Sequence, residues 1–149
     1  MNIQSPLSLL PSQTDVGPVA RILVKHARDA FGSQREIDDQ WRSLRYTGRP
    51  DFGRAVEEYQ RLIALLEELG AQLEFLPPTQ STDLDSIYVR DASVVCDKGM
   101  ILCNMGKVER GAEPAAQAAV FRSLNIPIHG EITGEGRLEG GDVTWIDSH

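Results

Sequence analysis

The chain has 149 residues, 41% of them apolar and 25% charged, a globular profile too apolar for intrinsic disorder and too mixed for a fibre. Fifteen Lys and Arg against 22 Asp and Glu leave a net charge of −7, which argues against generic nucleic-acid binding because phosphate repels such a surface. No apolar run approaches the roughly 20 residues of a membrane-spanning helix, and the first ten residues lack a secretory signal's basic start and long apolar stretch, so a cytoplasmic protein is expected.

The predicted elements follow in chain order. Residues 1–18, with Pro6, Pro11, Gly17 and Pro18, read as an irregular leader, and 19–149 as one domain or part of one. A short strand is predicted over 20–25. Residues 27–53 mix charge, Gly and aromatics, which predicts loop with one short helix near 36–44. The spacing of Ala55, Val56, Tyr59, Leu62, Ile63, Leu66 and Leu69 by threes and fours predicts a helix over 54–69. Gly70 then stands where a left-handed cap is wanted. A strand over 72–76 is stopped by Pro77-Pro78. Residues 87–95 and 100–104 read as a hairpin, 113–124 as a helix with Pro114 in its first turn, and 126–132 as a strand. A Gly-rich loop over 134–141 leads to a last strand over 143–146.

Cys96 and Cys103 flank the turn signal Asp97-Lys98-Gly99. That hairpin sets Cys96 opposite Met100 or Ile101, not Cys103, so two reduced, apolar strand residues are expected rather than a disulfide or a nucleophile.

The order repeats. Helix, strand, loop, Asp91 and strand are followed by helix, strand, loop, Asp142 and strand, with the two aspartates 51 residues apart. One helix and several short strands per period of about 50 suggest a radial α/β array. The chain stops shortly after the last predicted strand, at Ser148-His149, with no helix to cover it. This suggests the front part of a larger fold, or a protomer that associates.

Two constellations carry chemistry, Asp85-Ser86-Ile87-Tyr88-Val89-Arg90-Asp91 and Arg137-Leu138-Glu139-Gly140-Gly141-Asp142-Val143. Both set acids beside a predicted strand. The charge is concentrated with them, since residues 1–54 sum to +2 and 55–149 to −9. An acidic cleft attracts a cation, although a solvated acidic surface is the plainer reading of charge alone. A buried carboxylate needs a partner, and a planar guanidinium is its natural complement. Gly140 and Gly141 allow a turn that aims Glu139 inward, or a close backbone approach.

Here the chain resembles the guanidino-group-modifying (pentein) superfamily: dimethylarginine dimethylaminohydrolases, arginine deiminases and amidinotransferases. Ile87-Tyr88-Val89-Arg90-Asp91 and Leu138-Glu139-Gly140-Gly141-Asp142-Val143 carry the likeness. Gly99-Met100-Ile101-Leu102-Cys103, Lys107-Val108-Glu109-Arg110 with Glu113, and Ser123-Leu124-Asn125-Ile126-Pro127-Ile128 extend it over roughly 20–147. The resemblance implies an α/β-propeller of five pseudosymmetric units, of which this chain holds about half. It implies no metal or organic cofactor, and a covalent mechanism. A Cys thiolate attacks the guanidinium carbon, a His moves protons, and carboxylates hold the cation.

By the same resemblance, Asp91 grips the guanidinium, Glu139 supports substrate and histidine as a catalytic acid, and Asp85 is a further acid near the substrate. Arg90, Gly140, Gly141 and Asp142 are structural. Arg90 looks more like the deiminases and amidinotransferases than the dimethylarginine hydrolases. The family's His and Cys lie beyond the second motif. His26, His129 and His149 do not match its position, nor do Cys96 and Cys103.

The leading expectation is therefore the substrate-binding N-terminal half of a dimethylarginine dimethylaminohydrolase-like enzyme, inactive alone, with arginine or a methylarginine as its ligand. The alternatives are a deiminase or amidinotransferase relative, and a non-catalytic ligand-binding module that forms a homo-oligomer.

Overall fold

A computed structural model describes residues 18–145. The leader at 1–17, Ile146 of the last predicted strand, and the terminal residues including His149 lie outside the described residues. The rest is an α/β arrangement of two small sheets.

The first sheet pairs β1 (Arg21–Val24) in parallel with β2 (Gln72–Phe75). Parallel strands need a crossover, which here holds three helices: α1 (Ala27–Phe31), α2 (Gln34–Gln40) and α3 (Phe52–Glu68). α3 begins two residues before its predicted start at Arg54 because Asp51 caps it, its Oδ1 accepting from Arg54 N at 2.8 Å. Gly70 ends it at φ 77°, as expected. The expectation of one helix near 36–44 is corrected. Ser33 caps α2 early by accepting from Glu36 N at 3.2 Å, and α1 precedes it. Those helices bury Ala27, Phe31, Ile37 and Leu44 with Leu84 as one core.

The second sheet has the order β3-β4-β5. β3 (Ser93–Cys96) and β4 (Gly99–Leu102) form the antiparallel hairpin. α4 (Glu113–Ser123) then crosses to β5 (Ile128–Glu131), parallel to β4. Cys96 pairs with Gly99, not with Met100 or Ile101. The tighter register follows from Gly99, whose φ of 127° few other residues adopt. Both cysteines are free. Among the described residues no helix is long and apolar enough to cross a membrane.

Two strand expectations fail. Residues 87–92 are not strand, since 3-10 turns run Leu84–Ile87 and Val89–Ala92. Residues 143–145 are not strand either and follow a 3-10 turn, Gly140–Asp142. The backbone bonds of these segments close locally, as with Tyr88 N to Asp85 O at 2.9 Å and Val143 N to Gly140 O at 3.2 Å. Their β-forming side chains still pack: Val143 and Trp145 lie against Ala92, Val94, Cys103 and Met105. The internal repeat is therefore strand, helix, parallel strand and acid-bearing turn.

Candidate functional site

The acid-bearing turns of the two repeats, Val89–Ala92 and Gly140–Asp142, pack on each other. Glycine permits this. A Cβ on Gly140 would stand 2.2 Å from Arg90 O and 2.7 Å from Ser93 O, and one on Gly141 2.5 Å from Asp91 Oδ1. Neither residue has a positive φ, so close approach rather than an unusual turn explains the pair. Arg90 adds a tie, its Nη2 donating to Val143 O at 2.9 Å. α4 steadies the first turn. Gln117 Nε2 donates to Val89 O at 2.6 Å, and Ser93 Oγ donates to Gln117 Oε1 at 2.7 Å.

Where the repeats meet, Asp91 and Glu139 face one cation, the chain's own Arg110. Arg110 Nη1 lies 2.7 Å from Asp91 Oδ2 and 3.9 Å from Glu139 Oε2. Its other edge is held bidentately by Glu113, Nε to Oε1 and Nη2 to Oε2 both at 2.8 Å. Nη2 also donates to Tyr88 O at 3.2 Å, and the guanidinium sits 5.8 Å from the Tyr88 ring centre. The Arg110 and Glu113 side chains are 7% and 2% exposed, so the pair is essentially out of water. Burial works to lower the Arg110 pKa, but its hydrogen bonds to Glu113 and Asp91 hold it above its ordinary value. Burial pushes Glu113 up against the pull of Arg110.

The remaining acceptors differ. Glu139 Oε1 takes Gly106 N at 3.0 Å. Asp91 Oδ1 accepts no hydrogen bond among the described residues. Asp91 and Glu139 are 22% and 30% exposed, open to a ligand in a way that Glu113 is not.

Asp85 is placed differently. Its side chain is only 6% exposed and pairs with Lys107 Nζ, which also donates to Leu44 O at 2.6 Å. Lys107 therefore straps the turn after α2 to the first acidic motif. Next to Asp85, buried Ser86 accepts from Lys25 Nζ at 2.7 Å. Burial lowers the Lys25 pKa, with Glu113 pulling it back.

Of the expected positions, the structure brings Asp91, Glu139, Arg90, Gly140 and Gly141 together, and Asp85 joins through Lys107. Asp142 is exposed at the end of its turn. The sequence reading assigned no role to Arg110, Glu113, Lys107 or Gln117. The spacing Arg110-Gly111-Ala112-Glu113 was the available signal, since residues three apart on a helical turn meet. A cleft of about 240 Å³ is lined in part by Cys103, Met105, Pro114, Ala118 and Glu131, and neither Asp91 nor Glu139 lines it. Burial raises the Cys103 thiol, and nearby Asp91 and Glu139 raise it further. That is the reverse of what a nucleophile needs. His26 caps α1, its Nδ1 accepting from Arg28 N at 3.0 Å, and His129 lies exposed on β5.

No protein-family model matches the chain. It is similar to the N(G),N(G)-dimethylarginine dimethylaminohydrolase of Pseudomonas aeruginosa, 25% identical over 105 residues, 70% of this chain and 41% of that relative. The chain thus spans about two fifths of this curated relative's length. A mutant of the Pseudomonas aeruginosa enzyme complexed with citrulline superposes with a TM-score of 0.64 at 22% identity, over 83% of this chain and 46% of that one. The N-terminal domain of ArgZ, a cyanobacterial arginine dihydrolase bound to its product, matches with a TM-score of 0.60 at 20% identity, over 82% and 42%. The resemblance to the guanidino-group-modifying superfamily is thus met in a curated sequence and in the fold of solved members.

Proposed function

We propose that this chain carries the cation-gripping half of a site for a guanidino compound, of the dimethylarginine dimethylaminohydrolase kind. In this reading residues 19–149 are consecutive units of a five-fold propeller. The observation that supports it is that Asp91 and Glu139, one from each repeat, reach the same guanidinium nitrogen, that of Arg110. A space that two carboxylates share around one such nitrogen suits a second planar cation.

Asp91 offers its unengaged Oδ1 to a ligand N–H. Arg110, anchored by Glu113, holds Asp91 in place. Glu139, oriented by Gly106 N, supplies the second acceptor. Two carboxylates at the guanidinium keep it protonated and its carbon electrophilic. Hydrolysis further needs a thiolate to form the thiouronium bond and an imidazole to protonate the leaving amine. Neither comes from the described residues in this reading, because Cys103 is buried with a raised pKa and Cys96 sits in the β3–β4 hairpin.

The test is calorimetric titration with L-arginine together with a citrulline assay. We expect binding by the chain and its loss in Asp91→Asn, with no turnover by the chain alone. Absence of binding sinks the proposal, and thiol-sensitive citrulline formation sinks its inactive part. A deiminase-like preference is the second reading, favoured by Arg90, whose tie to Val143 O makes it part of the frame. Tighter binding of arginine than of asymmetric dimethylarginine would support it.

A further inference from the structure

α3 carries more apolar surface than its own packing uses. Phe52, Ala55 and Tyr59 pack against the first core, and Ile63 is buried one turn on. A second stripe, Leu62, Leu65 and Leu69, stands on the shoulder of the helix at 42, 58 and 77% exposed. One exposed leucine is ordinary. Three on one stripe of one helix are not explained by the core beneath them. α4, the corresponding helix of the second repeat, exposes Ala115, Ala119, Arg122 and Ser123 instead. The repeat unit itself therefore does not require large apolar side chains on the outer side of its helix.

The spacing of the stripe says what fits it. Leu62, Leu65 and Leu69 fall three and then four residues apart, the alternation of a helix–helix seam. Arg61 and Glu68 each precede a seam leucine and, being seven residues apart, flank the seam on one side. Laid antiparallel on a second copy of itself, the helix sets Leu62 against Leu65 of the second copy and Leu65 against its Leu62. The same register brings Arg61 of each copy beside Glu68 of the other. Leu69 then reaches toward Glu58 of the second copy, an acid whose charge Arg54 Nε already holds at 2.8 Å. Within its own helix Arg61 makes a loose 3.9 Å contact with Glu57, both side chains well exposed.

We propose that α3 is a self-association surface, on which two copies of the chain pair antiparallel across Leu62, Leu65 and Leu69 with two Arg61–Glu68 ion pairs along one side. The same patch serves both copies, so the two-fold arrangement closes on itself. It stands apart from the guanidino reading, because α3 holds neither Asp91 nor Glu139. A net charge of −7 on each copy opposes approach. One short helix pair is also a small interface, so a dissociation constant on the order of 10–100 µM is expected.

Sedimentation equilibrium of the full chain across that concentration range tests this, with a melting curve for each variant taken at a dilution below association. The expected result is a monomer–dimer equilibrium. Leu65→Lys should weaken it about tenfold or more without lowering the melting temperature. Glu68→Arg should weaken it about tenfold by setting like charges together, although a cation in the last turn of a helix favours the fold. The Arg61→Glu, Glu68→Arg double variant exchanges the two charges and should restore the dimer. A monomer at every concentration overturns the proposal, and a lower melting temperature in Leu65→Lys would then show the stripe to be covered within the chain. A dimer indifferent to Leu65→Lys joins elsewhere and overturns it too. A double variant no tighter than Glu68→Arg overturns the antiparallel pairing.

Discussion

Gly141 exists where it does to make room for Asp91: a Cβ on Gly141 would stand 2.5 Å from Asp91 Oδ1. The second motif is therefore shaped around the first, and the glycine pair is a packing device between two repeats. Its neighbour Gly140 meets backbone instead, with Arg90 O and Ser93 O inside contact distance of any Cβ.

That difference separates two substitutions. Gly140→Ala drives a methyl into fixed carbonyls and should cost about 1–3 kcal/mol, the usual range for overpacking. Gly141→Ala meets only the end of a side chain, so it should cost less stability but turn Asp91 away from Arg110. Urea unfolding and arginine titration of both variants check this. A Gly141→Ala chain with intact arginine affinity would contradict it.

Arg110 and Glu113 form a buried, bidentate pair. Removing one partner strands the other charge, which typically costs about 3–5 kcal/mol. We expect Arg110→Ala and Glu113→Ala each to unfold at much lower urea than the unaltered chain. The Arg110→Met, Glu113→Leu double variant should recover part of the loss. A double-mutant cycle measures the coupling, and strictly additive losses would show none.

Asp38 bridges Arg49 through both carboxylate oxygens, at 2.6 and 2.9 Å. Its pKa falls from 3.8 to about 2, first because of the Arg49 hydrogen bond and then that of Gln34. A depressed carboxylate pKa gives stability that is complete above pH 3.8 and is lost as pH falls through about 2. Burial raises Asp83 and Glu113, which act with the opposite sign. Asp38→Asn should remove part of the acid-side slope in urea midpoints between pH 4 and 2. Because the pair is exposed, 0.5 M salt should shrink that difference.

The two thiols should separate by reactivity. Burial holds Cys103 protonated, whereas Cys96 is partly exposed at the hairpin. At pH 8, iodoacetamide should modify Cys96 first, with Cys103 reacting only at the rate of structural opening. Mass spectrometry of a time course reads both sites, and equal rates would refute the ordering.

How much was legible depended on the range of the force involved. α3 was readable because its stripe and its stop at Gly70 are local, and so were β1, β2 and the β3–β4 hairpin. The register missed by one position because φ at Gly99 decides it, not the apolar pattern. Residues 87–92 and 143–145 misled because Val, Ile and Tyr favour a strand only where a neighbouring strand offers its backbone groups. Here the backbone bonds closed on themselves as 3-10 turns and the side chains were buried in place.

The sequence by itself determined the two-fold repetition, the acids at Asp91 and Glu139, and their resemblance to guanidino-group enzymes, because periodicity and motif order are properties of the chain. Only the tertiary structure decided that those acids meet at Arg110, that Glu113 anchors it, and that Lys107 ties Asp85 to the turn after α2. These are contacts between segments distant in the chain or between turns, and their energy depends on separation and burial in space. No local pattern encodes that.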